Sequence, residues 1–144
     1  MGFDDPTSKM SKSIARGKSG HAINLLDSDK AIKKTVMSAV TDSEQETRFE
    51  HASQGVRNLL ELYETLTSES RESIEQTFEG QGYGTLKKAL LAAVMDTITP
   101  LRERYDTIMD NRDELEQVLA RGADEAREIA ARTLAKMKKA TGLG

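Results

Sequence analysis

Apolar residues recur at helical intervals through most of the chain beyond residue 28, and at no regular interval before residue 22. Residues 1–22 mix Gly, Ser, Lys and Pro and read as loop. Ile23, Leu25 and Leu26 form a short apolar anchor. Asp27 and Ser28 suit the start of a helix over about 29–40, with Ile32, Val36 and Val40 on one face. The polar run 41–54 reads as a connection. Val56, Leu59, Leu60, Tyr63 and Leu66 then return to helical spacing, and Ser70 can cap a short helix carrying Ile74 and Phe78. The glycines of EGQGYG (79–84) mark a turn.

A long helix is expected from near Thr85, with the stripe Leu86, Leu90, Val94, Ile98, Leu101, Tyr105 and Ile108. Pro100 lies inside it and should kink rather than end it, because the periodicity continues. Asn111 is the break. A last helix carries Leu115, Val118, Leu119, Ala126, Ile129, Ala130, Leu134 and Met137, with Gly142 at its end. No segment alternates with period two and no internal repeat occurs. The pattern predicts an all-α helical bundle over 28–144. The irregular segment 1–27 should be an appendage that packs on something else.

Composition narrows the core chemistry. Aromatics are only 4% and Trp is absent, so Leu, Ile, Val, Ala and Met must fill the interior. No cysteine means no disulfide and no thiolate zinc site. No window approaches the roughly 18 to 20 apolar residues of a membrane span, and the N-terminus has no apolar run like that of a secretory signal. A cytoplasmic protein is expected. The net charge of −3 does not suggest a general polyanion binder, but its distribution is uneven. Residues 1–40 hold seven Lys/Arg against four Asp/Glu, and residues 41–144 hold 14 against 20. Arg127, Arg132, Lys136, Lys138 and Lys139 form a second basic cluster near the end. Polyanion contact should use the first forty residues or the last helix.

Lys9, Lys12 and Lys18 lie close together among Ser8, Ser11, Ser13 and Ser19. Flexible cations and small donors suit polyphosphate, although a solvated basic loop has the same composition. GKS at 17–19 does not complete a P-loop: Lys12 stands where the first glycine is required, and no strand precedes it. His21 and His51 lack the surroundings of a metal site and read as surface or loop residues. Asp4 and Asp5 beside Pro6 suggest a turn, and Met95, Met109 and Met137 read as core fillers.

The string KMSKS at 9–13 resembles the second signature of class I aminoacyl-tRNA synthetases, and its surroundings resemble one family among them. GFDDPTSKMSKS (2–13), AINLLDSDKAIKKTVMSAVTDSE (22–44), GVRNLLELYETLT (55–67), FEGQGYGTLKKAL (78–90), LRERY (101–105) and GADEAREIAARTLAKMKKATGL (122–143) are similar, in order, to blocks of the bacterial-type tryptophanyl-tRNA synthetases. The resemblance covers nearly the whole chain. It implies that Lys9 and Lys12 are catalytic on the ATP phosphates, that Met10 lies near the base, and that Ser11 and Ser13 complete the ATP loop. It also implies anticodon-binding helices, tRNA(Trp) as partner, tryptophan and ATP as substrates, Mg2+ with the ATP and a homodimeric parent. Residues 1–27 would then end a Rossmann-type catalytic domain, with 28–144 the anticodon-binding domain. Arg127, Arg132, Lys136 and Lys139 are candidates for RNA contact.

The chain departs from the family in three places. Ile14 and Ala15 follow the loop, Arg57 stands at a usually small position, and Ser68 replaces a usual glycine. No HIGH-type motif is present, so the chain is expected to be a C-terminal part, inactive alone. The alternative is a stand-alone helical tRNA-binding module without catalysis.

Overall fold

The computed structural model describes residues 1–143 and contains six helices and no strand among them. They are α1 (Lys12–Gly17), α2 (Asp29–Met37), α3 (Gln54–Thr67), α4 (Arg71–Phe78), α5 (Tyr83–Asp110) and α6 (Arg112–Thr141). The all-α architecture follows the apolar spacing, and the caps follow the polar residues. Ser28 and Ser70 each accept a backbone N–H at 3.3 Å, from Ala31 and Ser73. Gly142 closes α6 in the left-handed conformation. α1 is the one helix that the periodicity did not announce. It has six residues, none buried.

The chain divides into two units, Met1–Arg102 and Glu103–Gly144. The first holds the core. Ile32 and Val36 of α2, Val56, Leu59 and Leu60 of α3, Ile74 and Phe78 of α4, and Leu86, Leu90 and Val94 of α5 are all buried. Residues 1–27 contribute to this core through Phe3, which is buried in it, and Ile23, which packs against it. Of the expected anchor Ile23, Leu25 and Leu26, only Ile23 thus packs inward; Leu25 and Leu26 are exposed.

α2 stops at Met37, three residues short of Val40, and Val40 is exposed rather than on the apolar face. Its backbone N–H donates instead to Phe3 O at 2.8 Å. Lys87 lies against the chain where the helix ends, its ammonium 3.5 Å from Met37 O. Its ammonium donates to Ala39 O at 2.7 Å and to Thr41 Oγ1 at 3.3 Å, taking a carbonyl just past the last turn. Burial pushes the Lys87 pKa down.

The connection that follows is organised by Asp42, which accepts from Glu44 N at 2.7 Å, from the Tyr83 hydroxyl at 2.7 Å and from Ser53 Oγ. Burial first, and Asp42 second, push the Tyr83 pKa up to about 12. Gly55 lets the start of α3 pass this segment, since a Cβ there would lie 2.3 Å from Val40 O.

Of the expected core stripes, that of α5 is buried only in its first half and that of α6 not at all. α5 runs unbroken through Pro100, but Leu101, Tyr105 and Ile108 beyond it are exposed. Arg102 ties this end of the first unit to the start of α2, donating to Asp27 O at 2.8 Å and Asp29 Oδ1 at 2.5 Å. In the second unit no described residue of α6 is buried, and Val118, Leu119, Ile129, Leu134 and Met137 are all more than half exposed. Met137 is therefore not a core filler. Helical spacing states that a face is apolar; it does not supply the surface that covers it. No helix among the described residues is long and apolar enough to cross a membrane.

Candidate functional site

The KMSKS segment rises from a base built by residues 2–8 and 21. Asp5 Oδ1 accepts from Thr7 N at 3.0 Å and from Thr7 Oγ1 at 2.6 Å, and Ser8 N donates to Asp5 O at 3.2 Å. This is the turn that Asp-Pro suggested. The Thr7 hydroxyl holds the Asp5 carboxyl below the usual carboxylate range. Gly2 N donates to Ser8 O at 2.9 Å and closes the turn at its root. Phe3 is fixed on both sides of its backbone, donating to His21 O at 3.1 Å and accepting from Val40 N.

His21, expected at the surface or in a loop, lies in a loop but not at the surface. It is 1% exposed. Its Nδ1 lies 2.7 Å from Asp4 Oδ1 and its Nε2 lies 3.3 Å from Lys9 O. The other Asp4 oxygen is 2.6 Å from the Lys18 ammonium. That approach is close enough for an ion pair but not well directed, so Asp4 Oδ2 has no hydrogen bond of good geometry. Lys18 holds the Asp4 carboxyl below its usual range against the opposing pull of desolvation, with His21 adding to the effect. Asp4 in turn raises the Lys18 pKa.

Above this base, Lys9, Lys12 and Ser13 are exposed and Ser11 is half-buried. Ser11 has an extended backbone and precedes α1 without capping it by its side chain. Lys12 is the first residue of α1. Met10 leans over a hollow of 190 Å³ lined by Phe3, Ile23, Leu62 and Val94 among others. Lys18 is committed to Asp4, whereas neither Lys9 nor Lys12 meets a carboxylate among the described residues. The loop therefore displays two uncommitted ammonium groups on a braced root, an arrangement able to neutralise an incoming polyanion.

Sequence reasoning missed the brace, because its contacts join residues 12 to 17 apart and belong to no motif. It also missed a cleft of 440 Å³ between the loop and α2, bordered by Lys18, Lys30 and Lys34. No group of three or more His, Asp or Glu among the described residues is placed to hold a metal ion.

The second candidate surface, on α6, is divided. Arg132, Lys136 and Lys139 follow one another at intervals of four and three and share a face. Arg127 lies about 140° around the helix from Arg132 at 3.6 residues per turn. Arg127 pairs with Asp124 at 2.5 Å and Arg132 pairs with Glu128, whereas Lys136 and Lys139 are exposed with no such pair among the described residues.

The family described as tRNA synthetases class I (W and Y) matches residues 1–99. A tryptophan–tRNA ligase of Wolinella succinogenes is 46% identical over 143 residues, which is 99% of this chain and 43% of that protein. One from Oceanobacillus iheyensis is 42% identical over the full chain and again 43% of the relative. The crystal structure of tryptophanyl-tRNA synthetase from Mycoplasma pneumoniae superposes on all of this chain and 45% of its own, with a TM-score of 0.81 at 30% identity. The chain thus spans about 43% of the length of the curated relatives it matches.

Proposed function

The chain belongs to the class I tRNA synthetases of the tryptophan and tyrosine group, and we propose that it is the C-terminal part of a tryptophan–tRNA ligase. Residues 1–27 end the nucleotide-binding domain and 28–144 supply the anticodon-binding helices. The observation that carries this reading is the exposed pair Lys9 and Lys12, paired with no carboxylate among the described residues, inside a KMSKS string within a chain 46% identical to such a ligase along 99% of its length.

In the first step of the reaction, the tryptophan carboxylate attacks the α-phosphorus of ATP. The bond to the bridging oxygen breaks and pyrophosphate departs. Negative charge grows on the β- and γ-phosphates, and the Lys9 and Lys12 ammonium groups neutralise it. Ser11 and Ser13 offer hydroxyl donors to the same oxygens, and Met10 lies toward the base. Magnesium enters as part of the nucleotide substrate. The aminoacyl group then passes from the adenylate to tRNA(Trp), releasing AMP; the tRNA phosphates meet Arg132, Lys136 and Lys139, with Arg127 about 140° around the helix from Arg132. A homodimer in the cytoplasm completes the reading.

In the complete ligase, Lys12→Ala is expected to lower tryptophan-dependent ATP–pyrophosphate exchange by roughly two orders of magnitude or more, the scale of losing one strong transition-state charge contact. A near-normal rate would detach the loop from catalysis.

A further inference from the structure

We propose that His21 is a positioning residue for the ATP loop: clamped by Asp4, its imidazole holds the Lys9 carbonyl and fixes the root from which both phosphate-binding lysines extend. The inference rests on the ATP-loop reading above.

A histidine that is 1% exposed is a costly way to fill space unless both ring nitrogens are met. Here both face oxygen, Asp4 Oδ1 at 2.7 Å and Lys9 O at 3.3 Å. The second contact, with the Phe3 N to His21 O bond, pins both ends of the segment between residues 9 and 21 to one point. Between those ends no residue is buried. The loop thus has little packing of its own, and its origin is set at this ring. The ring is itself set on two sides. Lys18 anchors Asp4, and Gly2 lies so close that a Cβ there would sit 2.5 Å from Cε1 and 2.7 Å from Nδ1. The imidazole therefore cannot tilt toward residue 2, and the nitrogen it offers to Lys9 is held in place. A loop meant to deliver two charges to developing phosphate charge gains rate from a fixed root, since small misplacements of a catalytic group are expensive.

Two substitutions of similar size separate the ends of the ring. In His21→Gln the amide nitrogen takes the place of Nε2 and can still donate to Lys9 O. In His21→Asn it takes the place of Nδ1, keeping the Asp4 side and losing Lys9. The assay is ATP–pyrophosphate exchange in the complete ligase, with kcat and KM for ATP and for tryptophan, alongside Lys12→Ala and the thermal melt of each variant. His21→Asn should lower kcat by roughly 10- to 100-fold, with KM for tryptophan unchanged and the melt close to wild type. His21→Gln should recover most of that loss. If both variants retain wild-type kcat, or both lose it equally while melting normally, His21 does not position Lys9. If either variant fails to fold, Gly2→Ala, which crowds the ring from outside, gives the second reading. Its kcat must fall, again at unchanged KM for tryptophan, or the proposal fails. A near-normal Lys12→Ala rate would sink the ATP-loop reading itself, whatever His21 does.

Discussion

At the scale of single residues, the departures from the family pattern are where the structure adds most. Ser68, which the resemblance sets at a glycine position, adopts φ 58° and ψ 21° as the C-terminal cap of α3. That left-handed conformation costs an L-residue roughly 1–2 kcal/mol. Glycine avoids this cost but adds freedom to the unfolded chain, worth about 0.4–1 kcal/mol. Ser68→Gly should therefore stabilise the first unit by about 0.5–1 kcal/mol, raising its Tm by roughly 2–8 °C in a thermal melt. A lower Tm would show that the serine is held by something other than the cap. The sequence flagged Ser68 as unusual but could not give the sign of its backbone angle. Arg57, equally unusual, reaches from the exposed side of α3 to Glu50 O at 3.1 Å and so disturbs nothing buried. His21 was legible only as a histidine, because its partners are brought to it by the turn at Asp5 and by the docking of Phe3.

At the scale of elements, α3, α4 and the first half of α5 were readable because their stripes face a core made within the same unit. α6 was readable as a helix and misleading as a core element: its apolar and charged residues are both exposed. Its charges permit a choice between structure and recognition. Lys138 and Lys139 lie in the last turn, where cations complement the helix dipole, and Arg132 pairs with Glu128 on its own helix. If Arg132 and Lys136 also meet phosphates, the Arg132→Ala/Lys136→Ala variant should bind tRNA(Trp) and an anticodon-swapped tRNA more weakly by the same factor. The salt dependence of binding should flatten by a slope of about two. Filter binding at several salt concentrations measures both. Unchanged affinity would assign the cluster to the helix alone, and loss of anticodon preference by itself would mean that these residues read bases.

At the scale of the whole molecule, the all-α class, most helix boundaries and the turn after α4 followed from spacing and caps, although α5 takes up Tyr83 and Gly84 from the expected turn at 79–84. The position of the lysine loop followed from a short string. The division after Arg102 did not follow, because the apolar stripe continues past Pro100 without a change in period. Nor did the brace beneath the loop, which is made by contacts distant in sequence. What the account asserts above all is that Lys9 and Lys12 meet the phosphates of ATP while Lys18 serves the base through Asp4. Acetylation footprinting of the complete ligase tests this directly, comparing the labelling rate of each lysine by mass spectrometry with and without ATP and tryptophan. Lys9 and Lys12 should label readily in the free protein and be protected when the substrates bind, with Lys18, Lys136 and Lys139 little changed. Equal labelling of Lys9 and Lys12 in both states would contradict the account.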